Sequence, residues 1–189
     1  MDQGDISQIL SELRGRFSWL EAKWVPLERP LHFDFYQNWI SDGLHGEMDY
    51  LRRHLPLKED ASGLLTSARS ILVVSKSYVP AVREHHKLEN LRIASYARNE
   101  DYHEWFGDEL KEAAAFLETR LPGIKCRAGV DSLPVMERDH AARAGLGWAG
   151  KNTCLIHRQE GSFFFLGEIL STAVVQTEFA PLPDFCGTC

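Results

Sequence analysis

Apolar residues recur at helical spacing at the start of the chain, through Ile6, Ile9, Leu10, Leu13, Phe17 and Leu20. Such a period predicts an amphipathic helix over 6–20. Pro26 and Pro30 are expected to end that region. A second helical stretch, "LHFDFYQNWI", leads through Gly43 and Gly46 into a third, "GEMDYLRRHL", which Pro56 is expected to close. The pattern then changes. "SILVVSKSYVP" is short and β-branched at its centre, as a buried strand is.

"DYHEWFGDELKEAAAFLETRL" returns to the helical period, rich in Ala, Leu and Glu, with Pro122 and Gly123 as its stop. After it the chain reads as a strand ("IKCRAGV"), a helix ending at Gly145 ("PVMERDHAARAG"), a strand ("NTCLIH") and one or two strands ("FFFLGEILSTAVV"). Helices and strands interleave without a regular β-α-β repeat. This predicts an α/β (α+β) domain with a mixed β-sheet flanked by helices, rather than a doubly wound parallel sheet.

Composition narrows the class. A chain of 189 residues that is 44% hydrophobic and 11% aromatic can fill one substantial core. No apolar run approaches the roughly 20 residues of a membrane span, and "MDQGDISQIL" lacks the sections of a signal peptide, so a soluble, cytoplasmic protein is expected. Cys126, Cys154, Cys186 and Cys189 are too scattered for a disulfide framework, which leaves metal or redox chemistry as the question. A net charge of −6 argues mildly against nucleic acid, whose binding is driven by Lys and Arg displacing counterions. A local basic surface is still compatible with it.

Four stretches carry candidate chemistry. "GLGWAG", from Gly145 to Gly150, matches G-x-G-x-x-G in letters, but a helix precedes it and a strand follows, the reverse of the dinucleotide fingerprint. A helix cap with a glycine turn explains it, as does close backbone approach to a large flat ligand, with Lys151 and Asn152 as donors. "DYHE" places Asp101 and Glu104 as a capping box and leaves Tyr102 and His103 available for a pocket.

"VDSLPVMER" puts Asp131 between a strand end and a helix whose first turn contains Pro134. A helix N-terminus would lower an Asp pKa and burial against an apolar ligand would raise it; only the second suits a general acid. "CGTC" at Cys186 to Cys189 lacks a second pair for zinc and a following helix for a redox pair. An iron–sulfur segment of the C-x-x-C-x-x-C type would begin this way.

Taken together, "SYARNEDYHEWF", "GVDSLPVMERDHAARAGLGWAGKNTCLI", "GSFFFLGEIL" and "DFCGTC", in this order and spacing, resemble the epoxyqueuosine reductases. "GLHGEMDYL" and "ARSILVVSKSYVP" extend the resemblance over nearly the whole chain. It implies a nitroreductase-like cobalamin-binding catalytic domain over 1–184. Residues 185–189 would open a ferredoxin-like module with two 4Fe-4S clusters, cut off inside its first motif.

The implied reaction is reduction of epoxyqueuosine to queuosine in the anticodon loop of tRNA, with electrons passing from clusters to cobalamin. An electron donor such as a flavodoxin or ferredoxin system and a monomeric state go with it. By the same resemblance Asp131 is the proton donor. Asp101, His103, Asp131, Lys151, Asn152, Thr153 and Ser162 are cofactor-pocket residues, and Cys186 and Cys189 are the first two cluster ligands. Leu133 departs from the small residue common between Asp131 and Pro134, which predicts an altered fit above the corrin. Two cysteines cannot hold a 4Fe-4S cluster, so the chain by itself is expected not to turn over.

A corrinoid reductive dehalogenase and a non-catalytic cobalamin- or tRNA-binding module are the alternatives. The dehalogenases commonly carry a twin-arginine export signal, which "MDQGDISQIL" does not show.

Overall fold

A computed structural model describes residues 3–78, 93–98, 100–177 and 181–188. The first helix, α1 (Gln3–Phe17), buries Ile6, Ile9, Leu13 and Phe17 along one stripe. Ser18, with a φ of 52°, ends it. The chain then forms a strand, β1 (Glu21–Pro26), which the hydrophobic pattern did not announce. Its apolar content is confined to Ala22, Trp24 and Val25, and Pro26 takes its last position, where a missing N–H is tolerated.

Two short helices follow α2 (Phe33–Ser41): α3 (Asp49–Arg53) and α4 (Leu55–Glu59). Pro56 therefore does not close a helix but stands in the first turn of the next one, where its absent N–H has no partner to lose.

β2 (Ser70–Ser77) is the spine of the sheet, running antiparallel to β1 on one side and to β6 (Phe164–Ser171) on the other. β3 (Cys126–Gly129) completes the order β1-β2-β6-β3 on the far side of β6. The α/β architecture expected from the pattern is present, and every ladder described is antiparallel, a more uniform sheet than a mixed one. Both faces of β2 are covered, and its central Ile71, Leu72, Val73 and Val74 are continuously apolar. Leu72 and Val74 face a core shared with α1 and with α5 (Tyr102–Arg120). Ile71 and Val73 face a second core with Val135, Ala141, Leu146 and Leu155.

On that second face lie α6 (Glu137–Arg143) and a hairpin of two short strands, β4 (Trp148–Ala149) and β5 (Leu155–Ile156). α6 starts three residues later than Pro134, which sits in the preceding bends and not in the first turn. Among the described residues no helix is long and apolar enough to cross a membrane.

Candidate functional site

A cavity of about 840 Å³ opens on the second face of the sheet. One wall is aromatic, from Phe35, Tyr36 and Trp39 of α2; another is the start of β6, with Phe164, Phe165 and Leu166. The polar groups that enter include Asp131, Glu137, Arg138 and Lys58, with Gly150 and Thr153 from the hairpin turn, and His32, Tyr102 and Asp139 also line the cavity. Apolar walls with a few convergent polar groups are the usual make-up of a ligand site.

Asp131 reaches the cavity through its backbone. It has a φ of 49°, a left-handed conformation that Asp tolerates better than most side chains, so the turn after β3 projects the carboxylate outward. Its side chain is 53% exposed. The Tyr102 hydroxyl donates to Oδ2 of Asp131. Burial first, and then that bond, push the Tyr102 phenol above its ordinary value, so it remains a donor.

His103 stands beside them, with Nε2 3.8 Å from Asp131 Oδ2 and Nδ1 2.7 Å from Asp101 Oδ1. Asp101 also caps α5 by accepting the His103 N–H at 2.9 Å, and its pairing with His103 holds its carboxyl below the usual range. Of the capping box expected from "DYHE", the Asp101 cap is present and closes on the His103 N–H, while among the described residues no side-chain bond from Glu104 completes the box. The same aspartate also orients the imidazole, so the capping and pocket roles coincide.

"GLGWAG" is a helix cap and a turn. Gly145, with a φ of 77°, follows the end of α6, and Gly147 passes so close to β5 that a Cβ would lie 2.4 Å from the Ile156 carbonyl oxygen. The turn is closed by Gly150 N–H to Cys154 O and Thr153 N–H to Gly150 O, both 2.8 Å. Of the residues expected in the pocket, Asp131 and Thr153 line the cavity; His103 and Asp101 do not line it, and reach it only through the contact of His103 with Asp131. Asn152 is used locally, accepting the Cys154 N–H at 3.1 Å, and Lys151 reaches the Gly187 carbonyl at 2.6 Å. Ser162 is half-buried and does not line the cavity.

Leu133 turns away as well. It is buried in the second core, and a Cβ on Gly129 would stand 2.4 Å from its Cγ. A larger residue at 133 is thus absorbed beneath the turn.

Cys186 is half-buried, its N–H held by Asp184 Oδ1 at 2.7 Å, while Cys189 lies outside the described residues. Among the described residues no three candidate ligands come together around a metal.

Three groups at the site gave no sequence motif. Glu137 lines the cavity, and burial, followed by repulsion from Glu168, pushes its carboxyl up to about 7. Lys58 donates to the Val135 carbonyl at 2.7 Å, and burial lowers its ammonium from the usual value. Beneath them Glu168, 1% exposed, accepts from His140 Nδ1 at 2.9 Å. Burial is the largest single influence on His140 and would lower its pKa; the charge and hydrogen bond of Glu168, with Asp139 and Glu137, together outweigh it and raise it. The hint for Glu168 was a carboxylate inside the apolar run "FFFLGEIL".

Fold and site together define an α+β domain with acid–base groups gathered at the mouth of an aromatic-walled cavity. A family model described as "Epoxyqueuosine reductase QueG, DUF1730" matches residues 58–132. An epoxyqueuosine reductase of Cyclobacterium marinum is 38% identical over 153 residues, covering 81% of this chain and 49% of that protein. One of Gloeobacter violaceus is 42% identical over 151 residues, covering 80% and 46%. The chain is thus similar to part of the epoxyqueuosine reductases, and it spans about half the length of the curated proteins it matches.

Solved structures share the fold. An epoxyqueuosine reductase with an epoxyqueuosine-modified tRNA-Tyr stem loop superposes with a TM-score of 0.79 at 20% identity, covering 100% of this chain and 50% of that one. A Bacillus subtilis epoxyqueuosine reductase, with its catalytic aspartate loop swung out of the active site, gives 0.75 at 18% identity, covering 100% and 50%. A reductive dehalogenase, described with a mechanism for B12-dependent dehalogenation, gives 0.53 at 15% identity, covering 97% and 22%.

Proposed function

We propose that this chain is the cobalamin-binding part of a cytoplasmic enzyme that reduces epoxyqueuosine to queuosine in tRNA. The observation that carries the reading is Asp131, held at the cavity mouth in a left-handed backbone conformation with Tyr102 bonded to its carboxylate. An aspartate loop of catalytic importance in a relative of the same fold supports it.

The residues fit a corrinoid. A large flat macrocycle with polar edges suits a wide cavity with aromatic walls on α2, the small residues Ala142, Ala149 and Gly150, and Thr153 at its edge. When bound, the cobalt supplies the electron transfer to carbon. This chain supplies placement and protons. Thr153 and the backbone at Gly150 would hold the edge of the macrocycle, with His103 and Asp101 standing beside Asp131. Asp131 delivers a proton to the oxygen released from the epoxide. Arg138, whose Nη1 donates to the Thr153 carbonyl at 3.0 Å, ties the hairpin turn to α6.

Residues 1–184 form the cofactor-binding unit in this reading, and 185–189 open a cluster module in which Cys186 and Cys189 are thiolate ligands. A flavodoxin or ferredoxin system delivers the electrons to the monomeric enzyme, and tRNA carrying epoxyqueuosine is the partner. Titration with cobalamin, followed by visible absorbance, tests the site: saturable spectral change is expected, and none would remove the cofactor. Asp131→Asn in the full-length enzyme tests the donor: turnover at the wild-type rate would remove that role.

A further inference from the structure

Removing the oxygen of an epoxide as water breaks two C–O bonds and leaves a C=C bond, and it consumes two electrons and two protons. The electrons come from a low-potential protein donor. Asp131 accounts for one proton; the second has no assigned source. Glu137 lines the same cavity from the first turn of α6, six residues along the chain.

Its surroundings differ from those of Asp131. Glu137 makes no ion pair within salt-bridge distance among the described residues; Lys58, which donates to the Val135 carbonyl, acts on it only through its field. From β6 the carboxylate of Glu168 faces it, 1% exposed, with Oε1 on His140 and Oε2 without a hydrogen-bond partner. Lys58 of α4 attracts the ionised form, Asp131 and Glu168 repel it, and burial outweighs all of these. A half-buried carboxyl with a like charge behind it and no cation bonded to it takes up a proton more readily than an exposed one.

We infer that Glu137 is the proton store of this cavity, supplying the second proton that reduction of the epoxide requires. The inference rests on the function proposed above. Its store is full below about pH 7 and empties above it, which matches a donor working near neutrality.

Two measurements test it. The first needs no cofactor: the infrared band of protonated carboxyl groups, followed between pH 5 and 9, should lose one component near pH 7 in the wild-type chain and lack that component in Glu137→Gln. The second is single-turnover reduction of epoxyqueuosine-tRNA by the reconstituted full-length protein. Glu137→Gln should slow it by about tenfold or more, below the usual span of general acid–base contributions because water can substitute, and should abolish the fall in rate near pH 7.

Glu137→Asp, which keeps a carboxyl, should restore part of the rate and the pH dependence. A band that does not titrate above pH 6 overturns the store, and wild-type rates in Glu137→Gln at all pH values overturn its role. Absence of turnover in the wild-type protein instead overturns the function on which the inference rests.

Discussion

Tyr102 donates its hydroxyl to Asp131 while its ring lies flat on Phe165, with centroids 3.9 Å apart and planes inclined by 8°. The stack fixes the phenol on the sheet, and the phenol fixes the aspartate turn to α5. Tyr102→Phe keeps the stack and removes only the donor. It should leave cobalamin affinity unchanged and slow epoxyqueuosine reduction by about tenfold, the order of one hydrogen bond to a charged group. Parallel cobalamin titrations and single-turnover rates check this; weakened cobalamin binding would mean that the tyrosine shapes the pocket itself.

Glu137 also leaves a mark on stability. Its carboxyl rises from an ordinary 4.5 to about 7 on folding, so the folded chain binds more protons than the unfolded one in that window. The stabilisation is complete below about pH 4.5 and is lost as pH rises through 7. A shift of this size corresponds to at most about 3 kcal/mol. Glu137→Gln should flatten that slope and make the protein more stable than wild type at pH 8, as urea melts at pH 5 and pH 8 will show.

Glu168 and His140 form an ion pair that is closed to water on both sides, at 1% and 2% exposure. Removing one partner leaves the other buried and uncompensated, which costs about 3–5 kcal/mol. Glu168→Ala should show that loss in chemical denaturation, and the double change with His140→Leu should recover much of it. Additive losses would refute the coupling.

Gly147→Ala should disrupt the hairpin, because the new methyl meets a backbone oxygen that has no room to retreat. Gly15→Ala in α1, where nothing lies within 4 Å, is the control and should slightly stabilise the protein. Thermal melts and cobalamin titration of the two variants should separate them clearly.

The central strands and long helices were legible because their burial is regular: α5 keeps a helical period, and β2 is apolar on both faces. β1 was not legible, since an edge strand in which buried Ala22 and Trp24 alternate with Glu21 and Lys23 carries too few apolar residues for its alternation to stand out. In the site, Asp131, Asp101 and His103 stood in recognisable motifs. Glu137 and Lys58 did not, because their altered chemistry comes from residues far along the chain that only folding brings near.

The ring of Phe185 meets Trp148 edge-on with centroids 5.1 Å apart, Arg158 lies over its other side, and Lys151 holds Gly187. One side of the β4–β5 turn borders the cavity and the other carries the segment of Cys186. A dissection at Asp184 would therefore strip an aromatic lid from Trp148, and expression boundaries for this domain belong beyond Gly187.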